Sequence, residues 1–282
     1  MTPLAAVLRE LLARGEPAVL IEVTALKGSA PREAGARMLI TARGSHGTIG
    51  GGRLEWEATL RARALLASDE PSIVMEVPLG PEIGQCCGGF VSLRLSRADD
   101  GIRAELEAIE QAEGEGLPLV LLFGAGHVGK ALAAALAPLP FRVRWIDGRA
   151  GEFPDPPIKG PEVVVTERAL AEVDAAPADA ACLVLTHSHA LDSMICAAVL
   201  QRGDFAYLGL IGSRTKRAQF ERAFRDLGIP EERIGRLVCP IGGGRIRDKR
   251  PAVIAALVAV ELLQALADAA ARDGAAQDGE AA

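Results

Sequence analysis

The run from Leu119 to Lys130, Leu-Val-Leu-Leu-Phe-Gly-Ala-Gly-His-Val-Gly-Lys, constrains the fold more than any other part of the chain. Its first five residues are apolar without alternation, as a strand covered on both faces must be. Gly124, Gly126 and Gly129 follow at G-x-G-x-x-G spacing, and Val128 to Leu136 continues at helical period. Gly124 turns the chain sharply off the strand, Gly126 leaves room for a phosphate against backbone, and Gly129 lets the helix sit close to the sheet. Such a helix directs free N–H groups and the positive end of its dipole at an anion. A second strand, Phe141 to Ile146, ends in Asp147, 23 residues after Gly124, where these folds hold a ribose hydroxyl. Strand, turn, helix, strand and acid in that order predict an α/β fold with a Rossmann-like, doubly wound parallel sheet.

A length of 282 residues suggests two domains. Hydrophobic residues make up 49% and aromatics only 4%, so the cores must be built from Ala, Val, Leu and Ile. A net charge of −6 argues against nucleic acid or an anionic membrane as the main partner. The five cysteines are spaced neither as a zinc site nor as a secreted disulfide framework. Met1 to Arg14 lacks the basic start and long apolar core of a signal peptide. The longest apolar run, Ala252 to Val260, is too short to span a bilayer and meets Glu261. These features lead us to expect a soluble, cytoplasmic protein.

Residues 1–114 form the expected first domain. Leu4 to Leu12 reads as a helix, and Ala18 to Thr24 and Ala36 to Thr41 as strands. Gly50, Gly51 and Gly52 then open a helix from Arg53 to about Leu66. Three glycines in a row are costly in backbone entropy, so we expect their N–H groups to curl round an anion. Glu55 and Glu57 complement the helix dipole, or one of them accepts a hydrogen bond from a ligand. Ile73 to Leu79 and Phe90 to Leu95 are further strands. Between them lies Gly84-Gln-Cys-Cys-Gly-Gly89. Adjacent cysteines have Cα atoms only ~3.8 Å apart, too close for an unstrained disulfide. Cys86 and Cys87 therefore read as thiols suited to sulfur transfer or a thiophilic metal, set against the plainer reading of two small buried side chains.

Residues 115–267 form the expected Rossmann-like domain and 268–282 a flexible tail, after a linker at Gly114 to Pro118. Val163 to Val165, Ala181 to Thr186 and Phe205 to Ile211 read as strands of the parallel sheet. His187, Ser188, His189 and Asp192 follow the second of these at its carboxyl end, on the crevice side of Gly124. Hydrogen bonding to a ligand suits them better than a metal, because no further ligands follow at a familiar spacing, although capping by Ser188 or His189 is the plain alternative. Ser213, Arg214 and Lys216 open the next helix. Cations there oppose the dipole, so we expect an anion held jointly by the backbone and these side chains. A last helix, Lys249 to Ala267, is apolar nearly all round and should be buried, with an oligomer contact one way to bury it.

Several of these stretches together resemble the XdhC/CoxI family of xanthine dehydrogenase accessory proteins. They are Gly28 to Arg37, Gly47 to Gly52, Gly84 to Gly89, Phe123 to Gly129, Thr186 to Asp192 and Gly209 to Ser213, spread over about residues 18–265. The resemblance implies a family-specific N-terminal α/β domain followed by a Rossmann domain. It further implies a non-enzymatic chaperone that binds the molybdenum cofactor (molybdopterin) and protects it during sulfuration by a cysteine desulfurase. Delivery would be to the large, molybdenum-binding subunit of xanthine dehydrogenase. On that reading Gln85 and His127 join the glycines, Glu55, Asp147 and the polar residues above as cofactor contacts, and Cys86 and Cys87 attend the molybdenum or its sulfur. Two glycine-lined pockets, one per half, would then close over a single phosphorylated heterocycle. Some family members carry a cysteine after the glycine triplet where this chain has Arg53, which puts more weight on Cys86 and Cys87.

The fingerprint with Asp147 also permits a nicotinamide-dependent oxidoreductase, although no Tyr-x-x-x-Lys pair accompanies it and the sole tyrosine, Tyr207, falls inside a strand. A metallohydrolase built on His187, His189 and Asp192 is a weaker alternative.

Overall fold

A computed structural model describes residues 3–28, 32–79, 89–243, 246 and 248–280, with side chains to residue 269. Gln85, Cys86 and Cys87 lie outside the described residues. Backbone contacts divide the chain into two compact units, Met1–Glu115 and Gly116–Ala282.

The first unit runs α1 (Leu4–Ala13), β1 (Ala18–Lys27), β2 (Arg37–Thr41), β3 (Ser45–Gly47), α2 (Gly52–Leu66), β4 (Ser72–Leu79), β5 (Gly89–Arg97) and α3 (Asp100–Glu115). Its strands form one antiparallel sheet in the order β3-β2-β1-β5-β4. Alternation along β1 sends Val19, Ile21 and Val23 to a face covered by Leu54, Ala58, Ala62 and Leu65 of α2. The other face packs Leu39 against Ala5, Leu8 and Leu11 of α1 and Leu106 of α3. Helix α3 had no counterpart in the sequence reading, because only Leu106 of its sixteen residues is buried and a single anchor leaves no visible period. It takes in the first two residues of the expected linker.

The second unit runs β6 (Leu119–Phe123), α4 (His127–Leu136), β7 (Arg142–Asp147), a 3-10 turn at Ala150–Glu152, β8 (Glu162–Val165), α5 (Ala169–Asp174), β9 (Ala181–Val184), α6 (His189–Arg202), β10 (Tyr207–Leu210), α7 (Arg214–Asp226), α8 (Glu231–Gly235), β11 (Leu237–Val238) and α9 (Pro251–Glu280). All six strands are parallel, in the order β11-β10-β9-β6-β7-β8. This is the doubly wound arrangement, with its switch point between β6 and β9. Every residue of β6 is buried because helices cover both faces. Leu122 and Trp145 meet α4 and α9 on one side. Phe123 and Ile146 meet α5, α6 and α7 on the other.

Helix α9 departs from expectation twice. It buries one face only, through Ala255, Val258 and Leu262, and leaves Val260 and Leu263 exposed. Its backbone also stays helical to Glu280, past Asp268, because an alanine-rich chain keeps high helix propensity. Pro251–Ala269 is long and apolar enough to cross a membrane by length and composition. Here that segment packs along α4 as the cover of one sheet face.

Candidate functional site

The carboxyl ends of β6, β7, β8 and β9 surround a cleft lined by Gly124, Asp147, Arg149, Thr166, Glu167, Thr186 and His187. The turn after β6 is fixed by contacts that only glycine permits. Gly124 has φ +117°, and a Cβ there would lie 2.3 Å from the Leu185 carbonyl oxygen. A Cβ on Gly129 would lie 2.0 Å from the Gly124 oxygen, so α4 seats directly on the turn. The Trp145 indole N–H donates to that same Gly124 oxygen at 3.0 Å and pins it from below.

The amino end of α4 is open. Its cap position is Gly126, no side chain accepts from it, and a Cβ on Gly126 would meet nothing within 4 Å. Four other helices have acceptors of their own, whereas the short α5 and α8 also lack a side-chain cap. Glu110 accepts from the amides of Leu4 and Ala5 at the start of α1, and Asp99 accepts from Ile102 in α3. Ser188 accepts from Leu191 in α6, and Ser213 accepts from Lys216 in α7. At α4 no side chain caps the first-turn amides of His127, Val128 and Gly129, which lie beside the switch point with exposed His127 at the rim. The polar residues expected around the crevice thus divide. His187 lines the cleft and His189 is exposed, whereas Ser188 and Ser213 are helix caps.

Three expected anion or ligand contacts are occupied by the chain itself. At Gly50–Gly52 the backbone turns through three positive φ values. The amides of Ile49 (3.0 Å) and Gly51 (2.9 Å) and the Thr48 hydroxyl all donate to Glu55 Oε1, and Gly50 donates to Thr48. Burial works against the charge of Glu55, yet these hydrogen bonds outweigh it and hold the carboxyl below its ordinary range. The glycine loop therefore wraps an anion, but that anion is Glu55 and not a ligand. A carboxylate already seated there repels a second anion.

At Lys216 the anion is Asp192. The ammonium donates to Asp192 Oδ2 at 2.7 Å and to the Ile211 carbonyl at 3.0 Å. Asp192, fully buried, accepts at its other oxygen from the amide and hydroxyl of Thr186. Asp192 and Lys216 thus tie α6 to α7 beneath the cleft, and Arg214 is left exposed. With both oxygens engaged, Asp192 does not join His187 and His189. Among the described residues no cluster of His, Cys, Asp or Glu could hold a metal ion.

Asp147 is the third. Its Oδ1 accepts from the amide and Nε of Arg149, both at 3.0 Å. Its Oδ2 accepts from the Ala125 amide at 2.8 Å and from Arg149 Nη2 at 2.9 Å. Burial raises the carboxyl's pKa, but Arg149 and the two amides bring it down to about 2. All four lone-pair positions are filled, so the carboxylate expected to hold a ribose hydroxyl has none to offer. The sequence reading missed Arg149, although Asp147-Gly-Arg149 carries the signal: a guanidinium two residues on reaches back over the acid.

The described cysteines Cys182, Cys196 and Cys239 are all buried. Burial pushes the Cys182 thiol up to about 12 and raises the other two, so they serve as apolar core side chains.

Comparison with known proteins agrees with this architecture. Residues 120–262 match the family model of the XdhC Rossmann domain, and residues 11–77 match that of the XdhC and CoxI family. The uncharacterized protein YqeB of Escherichia coli (strain K12) is 31% identical over 260 residues, 88% of this chain. The chain spans 43% of that relative's length. A crystal structure described as a xanthine dehydrogenase from Bacillus halodurans shares the fold, with a TM-score of 0.71 at 18% identity over 94% of this chain and 96% of that one. With an XdhC Rossmann domain over half its length and the family's N-terminal region before it, the chain belongs to the XdhC and CoxI family.

Proposed function

We propose that this chain is a cytoplasmic accessory protein of xanthine dehydrogenase that binds the molybdenum cofactor by its terminal phosphate. It shields the cofactor while a cysteine desulfurase supplies sulfur, then passes it to the molybdenum-binding subunit. Membership of the XdhC family fits an accessory role rather than an enzymatic one, and a structural relative described as a xanthine dehydrogenase fits an association with that enzyme. One observation carries the ligand reading: α4 presents uncapped amides at the switch point, with space at Gly126 where a side chain would stand. A phosphate fits that cradle. The amides of His127, Val128 and Gly129 would hold it, and His127 and His187 would stand at the rim. Gln85, Cys86 and Cys87 remain the proposed contacts on the sulfur side. The bound group supplies reactivity only to the enzyme that receives it; this chain's part is to bind and exclude water.

The nicotinamide-dependent reading finds no support in the same geometry. Asp147 has no free acceptor, and Tyr207 is buried, its hydroxyl donating to Glu261 at 2.8 Å.

The test is anaerobic incubation with molybdopterin, gel filtration, and oxidation of the protein fraction to a fluorescent pterin. We expect the wild type to retain about one equivalent. Gly126→Asp, which seats a carboxylate over α4 in unobstructed space, should weaken retention at least about tenfold. No retention by the wild type would contradict the cofactor reading. Retention undiminished in Gly126→Asp would move the phosphate elsewhere.

A further inference from the structure

We propose that Arg149 determines specificity: its side chain occupies the place of a ribose diol on Asp147, so the site takes a phosphate that carries no adenosine. This deepens the reading above, since it concerns the same α4 mouth. It rests on the geometry of the second unit and not on the identity of the pterin.

Hydrogen bonds to Asp147 can be counted one by one. A ribose presents two hydroxyl donors to the acid that ends the second strand of a dinucleotide-binding fold. In this chain the Arg149 side chain donates Nε to Oδ1 and Nη2 to Oδ2, one bond to each oxygen. The remaining two positions are taken by the amides of Arg149 and Ala125, which belong to the backbone and stay whatever residue stands at 149. Removing the Arg149 side chain therefore frees two acceptors, one on each oxygen, matching the two hydroxyls of a ribose. With the guanidinium in place, the Asp147 side chain is only 3% exposed.

Arg149 does not itself offer a phosphate site. It also pairs with Glu152 at 3.3 Å, and the Glu167 carboxylate lies against Gly148 next to it. Asp147, Glu152 and Glu167 stand here against Arg149 and against Lys130, which lies 3.7 Å from Glu152, so this corner is net negative by one charge. A 2′-phosphate brought to Arg149 would be repelled.

The experiment is calorimetric titration of ADP-ribose into the full chain, comparing wild type, Arg149→Ala, Arg149→Gln and the double variant Asp147→Asn/Arg149→Ala. The wild type should show no saturable binding at millimolar ligand. Arg149→Ala should bind at least about tenfold more tightly, and the double variant should lose that gain. Arg149→Gln, which retains one side-chain donor, should gain less and serves if the alanine variant does not fold. Micromolar binding of ADP-ribose by the wild type would overturn the proposal. So would the absence of any gain in a cooperatively folded Arg149 variant. Wild-type preference for 2′-phospho-ADP-ribose would also overturn it, by showing Arg149 to be a phosphate reader. Pterin retention by the wild type, measured in parallel, reports separately on the cofactor reading: its loss leaves the ribose result standing, and the reverse holds too.

Discussion

The two glycine-rich junctions differ in who supplies the anion. At Gly50–Gly52 the loop amides close on Glu55, three residues into the helix that follows. At Gly124–Gly129 no acid follows within the first turn, and the nearest one, Asp147, is clasped by Arg149 and spends a single oxygen on Ala125. The α4 amides stay open. Glycine spacing therefore signals only a backbone that can wrap an anion. The acid downstream decides whether the site is filled from within. Lys216 repeats the lesson, since the cation expected to share an anion with the backbone is met by Asp192.

The largest expected effect comes from breaking an internally filled site. Lys216→Met leaves Asp192 charged, buried and unpaired, and should cost about 3–5 kcal/mol in chemical denaturation. Were Lys216 instead a ligand contact, stability would hardly change. Glu55→Ala comes next. It strands the Thr48 hydroxyl and two loop amides, for a loss of about 1–3 kcal/mol. It should also convert the loop into an external anion site, read as stabilisation of the variant by added inorganic phosphate beyond that seen in the wild type. Smallest is the pH dependence of Asp147. Its carboxyl sits at about 2 in the folded chain, against an ordinary aspartate value of 3.8. Its stabilisation should be complete above about pH 4 and fade as pH falls toward 2, a difference of about 1–2 kcal/mol. Comparing wild type with Asp147→Asn between pH 5 and pH 2 measures it. A gap that stays constant over that range would mean that Arg149 does not hold the acid.

The second unit was legible because its elements announce themselves locally. The unbroken apolar run of β6 and the glycine spacing to α4 mark a strand buried on both faces and a tight turn. Helix α3 was hidden because one buried leucine sets no period. Strand β11 was hidden because two residues show no alternation. Among the site residues, sequence located the glycines and acids but not their partners. Whether Glu55, Asp147 and Asp192 face outward or inward depends on Thr48, Arg149 and Lys216. Their reach is a matter of packing, although Arg149 lies close enough in sequence to have been weighed.

The most direct test of an open α4 cradle and a filled glycine loop is hydrogen exchange, read amide by amide, on the full chain with and without bound molybdopterin. Exchange should slow at His127, Val128 and Gly129 on binding, with Ile49 and Gly51 unchanged because Glu55 already holds them. Protection confined to Ile49 through Gly51, with the α4 amides unaltered, would contradict it.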